Sequence, residues 1–259
     1  MKRNNTFQMV LTALLGTIIL AMSLIPQIGF ITIIPGIVTV TIAHIPVLIG
    51  VFLLDRKYAI TLGGIFGLGS LLAALMYAAN PFDQAFVYPW ISIIPRLLFA
   101  FIAHLLIDGL KKVGELKYGK EILFVTVTLF TSVGLYFGMR AFANAINSFE
   151  FLSIIDYIII PIVLILGGIF YFITKKYENY AYIPSTLIIS TFVHTILVLG
   201  TVSLLSPSAF TAFFGDSQTV ISIVLMIALS NGLIEAILAA IIGTPIVIAT
   251  KTKLESRED

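Results

Sequence analysis

Residues 7–25 read FQMVLTALLGTIILAMSLI, nineteen positions without a single charge. A helix that crosses a bilayer needs roughly 20 predominantly apolar residues. Working outward from this run, seven further stretches meet the same test: 33–54, 59–79, 87–110, 121–139, 152–174, 183–205 and 219–249. Backbone polar groups have no water to bond in hydrocarbon, so each is expected to be a helix. The expected fold is therefore all-α, a polytopic membrane protein of eight spans. The last span is long enough to tilt or to run past the membrane. The fifth is the shortest and also suits the interface. Met1-Lys2-Arg3 precedes the first run, but no small-x-small cleavage site follows it, so the run reads as a membrane helix and not a signal peptide.

Composition agrees. Of 259 residues, 59% are hydrophobic and 11% charged, where a soluble domain carries about 25% charged residues. That argues against soluble enzymes, secreted disulfide scaffolds and nucleic-acid binders. The absence of cysteine removes disulfides, thiolate metal sites and cysteine nucleophiles. No cofactor is called for. No Walker A loop is present, so the chain does not itself hydrolyse ATP by that route.

The basic residues place the termini. Lys2 and Arg3, Arg56 and Lys57, the four lysines 111, 112, 117 and 120, Lys175 and Lys176, and Lys251, Lys253 and Arg257 make 13 of the 15 Lys and Arg. With eight spans all of them fall on one side, which the positive-inside rule makes cytoplasmic, together with both termini. The outer connections carry only Arg140, and their Pro and Gly residues break helices. The expected location is a cell membrane, crossed several times.

Ionisable groups inside spans are costly and each is a candidate for function. With one amide added they are His44, Arg96, His104, Asp108, His194, Asn231 and Glu235. Arg96 keeps its charge and needs an anion, either a substrate carboxylate gripped by its planar fork or Glu235. Asn231 and Glu235 are four apart, on one face of the last helix, suited to a polar ligand or to a neighbouring helix. His104 and Asp108 have the same spacing and read as a local pair. His44 lies two residues before Pro46, where a hydrogen bond to the loosened backbone would satisfy it. His194 reads equally as a pocket residue or a core histidine. The three histidines show no close ligand spacing, so no metal site is expected. Tyr88 and Trp90 sit at the outer end of the fourth span, as an aromatic belt or as a roof over a site. Ala13, Thr17 and Ala21 in the first helix, and Gly63 and Gly67 in the third, have the spacing of small-residue packing faces.

Several of these stretches, taken in order, resemble one family. Thr41-Ile42-Ala43-His44-Ile45-Pro46-Val47-Leu48-Ile49-Gly50, Gly63-Gly64-Ile65-Phe66-Gly67-Leu68-Gly69-Ser70, Ile94-Pro95-Arg96 and Ser230-Asn231-Gly232-Leu233-Ile234-Glu235 are similar to segments of the S-components of energy-coupling factor (ECF) vitamin transporters, in the pantothenate-like branch. The resemblance covers about 1–115 and 183–252. It implies a single integral membrane domain over 1–259, with a six-helix core and an inserted two-helix hairpin at about 121–176. It also implies a non-catalytic subunit of a bacterial cell membrane that captures a small vitamin and docks, through the Ala13, Thr17 and Ala21 face, on a coupling membrane subunit served by two ATPases. Arg96 would hold a substrate carboxylate; Asn231, His194 and Glu235 would line the site, under Tyr88, Trp90 and the outer loop 26–36. Pantothenate fits an anionic, hydroxylated ligand, with riboflavin or another vitamin as the alternative. His194 departs from the asparagine such proteins tend to carry there. From other classes, a secondary transporter and an intramembrane enzyme using histidine with Asp108 or Glu235 remain open.

Overall fold

The computed structural model describes residues 4–34, 38–145, 157–158, 160–165, 168, 171–172, 180–214 and 220–256. The described chain is overwhelmingly helical. Among its residues five helical segments are long and apolar enough to cross a membrane: Asn5–Leu24, Arg56–Tyr77, Pro89–Gly114, Tyr182–Leu205 and Asn231–Glu255. This is the pattern of a multi-pass membrane protein.

The first helix, α1 (Asn5–Leu24), begins where the Asn4 side chain accepts a hydrogen bond from the Thr6 amide at 3.0 Å. The next stretch corrects a sequence expectation. Residues 33–54 do not form one spanning helix. They are divided between a two-stranded hairpin, β1 (Phe30–Ile34) with β2 (Val38–Thr41), and a short helix α2 (Ile45–Leu53). Local chemistry accounts for the break. Val38-Thr39-Val40-Thr41 is wholly β-branched, which favours strand. Pro46 is best accommodated in the first turn of a helix, so the helix starts beside it. Nine residues rise only about 14 Å, short of a span, and every one of them in α2 is buried. Hydropathy measures burial, and α2 is buried in protein.

The remaining helices are α3 (Arg56–Tyr77), the short α4 (Pro81–Ala85) and α5 (Pro89–Ser92), α6 (Ile94–Gly114), α7 (Gly119–Ala145), α8 (Tyr182–Leu205), α9 (Pro207–Phe214) and α10 (Val220–Glu255). A helix thus covers the expected fifth span, and the expected sixth, 152–174, falls largely outside the described residues.

The chain forms two compact units. The first comprises Met1–Thr32, Thr41–His104 and Val193–Leu225. Here α1 runs against α3 and α2, and Gly50 of α2 accepts the tips of Leu62 and Leu15. Gln8, fully buried, exchanges two hydrogen bonds with Asp55: its Oε1 accepts from the Asp55 amide at 2.8 Å and its Nε2 donates to Asp55 Oδ2 at 2.5 Å. A buried amide among apolar residues is tolerable only when satisfied in this way, and the pair ties α1 to the turn between α2 and α3. Gly63 and Gly67 of α3 face backbone. A Cβ at Gly63 would stand 2.5 Å from the Arg96 carbonyl oxygen, and one at Gly67 would stand 2.7 Å from Ile93 Cα.

The second unit comprises Ile33–Val40, Leu105–Phe192 and Met226–Asp259. Its core is a cluster of Val127 from α7, Ile188 and Phe192 from α8, and Ala228, Leu233, Ala236 and Ala240 from α10. Thus the first helix of the expected insertion packs on helices of the expected core. At one end of this unit Tyr180 donates to Glu255, and Lys251 Nζ donates to the Tyr182 hydroxyl at 2.9 Å.

These contacts separate glycines that matter from one that does not. Gly63→Ala forces α3 away from α6 and is expected to cost about 1–3 kcal/mol. At Gly109 nothing lies within 4 Å of the place an alanine methyl would take, and Gly109→Ala is expected to stabilise α6 by about 0.5–1 kcal/mol. Thermal unfolding of the two variants in detergent should therefore shift in opposite directions.

Candidate functional site

Arg96 lies in the first turn of α6, next to Pro95, and is only 4% exposed. Gly63 lets α3 approach the backbone at this point. The Arg96 Nη1 donates to the Ile91 carbonyl at 3.0 Å, and its Cζ stands 5.0 Å above the Phe86 ring and 5.7 Å above the Phe66 ring. Its Nε has no hydrogen-bond partner, and among the described residues of its unit no carboxylate is bonded to it. One carbonyl and two ring faces are weak compensation for a buried cation. The α4–α5 segment beneath it is braced by the Ser92 hydroxyl, which donates to the Phe86 carbonyl at 2.5 Å.

The Phe66 ring that borders Arg96 also borders His194. Its centroid is 5.5 Å from the His194 ring, and Phe99 lies 4.9 Å from it on another side. His44 stacks on His194 at 5.4 Å with the planes within 10° of parallel. His194 is 5% exposed, and neither ring nitrogen has a hydrogen-bond partner among the described residues. A buried imidazole without partners pays the desolvation of both nitrogens, and such groups call for an explanation. The unit therefore holds a fixed cation and an imidazole unpartnered among the described residues, both bordering one phenylalanine ring. An anion with a neighbouring hydrogen-bonding group satisfies both.

The other sequence candidates fall as follows. Tyr88 and Trp90 stack on each other at 5.3 Å and are about half exposed, 49% and 48%. Tyr88 is the N-cap of the short α5 and Trp90 lies within it, the helix whose Ile91 carbonyl Arg96 holds. Asn231 and Glu235 lie one turn apart on α10, half-buried and buried respectively, and belong to the second unit. The local His104–Asp108 pair does not form through His104 Nδ1, which is buried without a partner, and Asp108 is exposed. Ala13, Thr17 and Ala21 are all exposed on α1, and Thr17 turns its hydroxyl back to the Ala13 carbonyl at 2.9 Å, leaving a smooth apolar strip. The Gly63 and Gly67 face is instead consumed by packing within the chain.

Phe66, Phe86 and Phe99 are not singled out by sequence. Phenylalanine occurs 20 times in this chain, and no local pattern marks three that meet around one arginine and one histidine. His44 does hydrogen-bond backbone as its place before Pro46 suggests, at Thr41; the stack on a residue 150 positions later has no local signal.

No family model matches the chain, and no curated protein is significantly similar to it.

Two outcomes follow. If Arg96 is held for a ligand, the ligand-free protein tolerates its loss: Arg96→Met should raise the thermal unfolding temperature without ligand, by the equivalent of about 1–3 kcal/mol. In the short α4, burial holds the Asp83 carboxyl above its ordinary range, against the lowering effect of hydrogen bonds from the Ala79 backbone and Asn80. Its folded form favours the proton, so its contribution to stability is greatest at low pH and is lost as pH rises through the raised value. Unfolding temperatures measured from about pH 4 to about pH 7 should show this decline, and Asp83→Asn should flatten it.

Proposed function

We propose that this protein is the substrate-binding membrane subunit of an ECF-type vitamin importer, and that its ligand is a small carboxylate, with pantothenate the first choice. The observation that carries the reading is Arg96: a permanent cation, buried beside two phenylalanine rings, with no carboxylate among the described residues of its unit bonded to it. A guanidinium in that state is suited to bidentate capture of a carboxylate. His194, which borders the same Phe66 ring, would bond a hydroxyl or amide of the same ligand. Tyr88 and Trp90 would exclude water.

On this reading the chain is not an enzyme. Both termini would lie in the cytoplasm of a bacterial cell. The apolar strip of Ala13, Thr17 and Ala21, exposed along α1, would lie against a coupling membrane subunit. Two ATPase subunits would supply the energy that a chain lacking a Walker A loop does not provide.

Purified alone in detergent and titrated calorimetrically with pantothenate, riboflavin, thiamine and biotin, the chain should bind one carboxylate vitamin at micromolar affinity or tighter. Arg96→Ala should weaken that binding roughly 10- to 150-fold, the loss of a charge-assisted contact. Unchanged affinity in the variant, or selective binding of riboflavin or thiamine, would overturn the assignment of Arg96. Uptake that persists in vesicles without any ATPase would overturn the importer reading.

A further inference from the structure

The ligand scheme leaves His44 without a task, yet its side chain is fully buried and its surroundings are unusually well defined. It sits between the end of β2 at Thr41 and the start of α2 at Ile45. Its imidazole hydrogen-bonds the Thr41 backbone, and its ring meets Phe99 edge-on at 6.4 Å while lying flat against His194. The backbone on both sides is held as well. The Ile42 and Ala43 amides donate to the Gly29 carbonyl at 2.8 and 3.3 Å, and the Leu48 amide donates to the His44 carbonyl at 3.1 Å. Gly29 is pressed between the Met22 carbonyl and the Ala43 methyl, so closely that no side chain fits. A chain of contacts thus runs from the end of α1 through the base of the hairpin to His44 and ends on the His194 ring.

Among the described residues His194 has no hydrogen bond to orient it. The rings against its faces must do so. Phe66 and Phe99 present hydrocarbon to it at tilted angles, whereas His44 lies parallel to it and is itself anchored to backbone. A binding group whose rotamer is locked in advance loses less freedom on binding and holds its ligand more tightly.

We propose that His44 is a positioning residue: it fixes the plane of His194 for the ligand and makes that plane depend on the hairpin base at Gly29, Thr41, Ile42 and Ala43. The proposal rests on the reading of His194 as a ligand-binding residue. Displacement of the hairpin base would release His44 from Thr41, tilt His194 and weaken the ligand.

The test has two arms. In the first, pantothenate is titrated into wild type, His44→Ala, His194→Ala and the double variant. His44→Ala should weaken binding about tenfold, and the double variant should be no weaker than His194→Ala alone. Losses that multiply in the double variant would show that His44 does not act through His194 and would overturn the proposal. The second arm needs no ligand. Hydrogen exchange at the Ile42 and Ala43 amides is followed in wild type and in His44→Phe, which keeps a flat ring in the space but drops the bond to Thr41. Faster exchange in His44→Phe is expected; unchanged exchange would overturn the link to the hairpin. Should pantothenate fail to bind wild type, the vitamin assignment falls, and the exchange arm still decides whether His44 anchors the hairpin base. His44→Phe also serves in the titrations should His44→Ala fold poorly, and there it should recover part of the lost affinity.

Discussion

A guanidinium with almost no access to water, and with no carboxylate among the described residues of its unit bonded to it, sets the terms for the first unit. Arginine cannot escape the cost of burial by losing its proton. What the protein supplies in return is one carbonyl oxygen and the faces of Phe86 and Phe66. That arrangement requires α3 and α6 to run close enough for Phe66 to reach Arg96, and the close approach is made possible by glycine at 63 and 67, where backbone meets backbone. A short α5 must then deliver the Ile91 carbonyl, and Ser92 braces the segment by its bond to Phe86. Packing of an ordinary kind thus supports a charge that packing alone does not satisfy.

Polar residues elsewhere in the first unit are treated differently. Gln8 is just as buried, yet it exchanges two hydrogen bonds with Asp55. Thr12, Thr17 and Ser23 bond carbonyls of their own helix. These are the usual ways of making polar groups tolerable among apolar ones. Among the described residues neither His194 ring nitrogen nor the Arg96 Nε is bonded, a state that His104 Nδ1 shares. What gives Arg96 and His194 their value as a candidate site is that both border one ring, Phe66.

Much of the helical layout is legible in the amino-acid sequence. The runs at 7–25, 59–79 and 183–205 coincide with α1, α3 and α8 to within a few residues, because long uninterrupted apolar runs admit little besides a helix. The run at 33–54 reads wrongly as a single helix for a definite reason. Apolar character does not distinguish a helix facing lipid from a strand or short helix enclosed by protein, and the β-branched Val38–Thr41 stretch with Pro46 shortly after it decides the matter locally. Of the site, Arg96 and His194 stand out as ionisable groups in apolar runs. Phe66, Phe86 and Phe99 do not, since an aromatic residue is commonplace in such a chain.

Sequence by itself determined that the chain is built for a membrane, that its basic residues segregate between apolar runs, and that only a few ionisable groups lie inside them. Those properties are local or additive and need no knowledge of contacts. Tertiary structure decided which of those few groups matter together. It placed His44 against His194 across 150 residues of chain, brought both His194 and Arg96 to the Phe66 ring, and spent one small-residue face on packing while leaving the other exposed. The physical reason is that a ring stack or a close helix crossing depends on where two distant backbones meet, and no spacing along the chain encodes that distance.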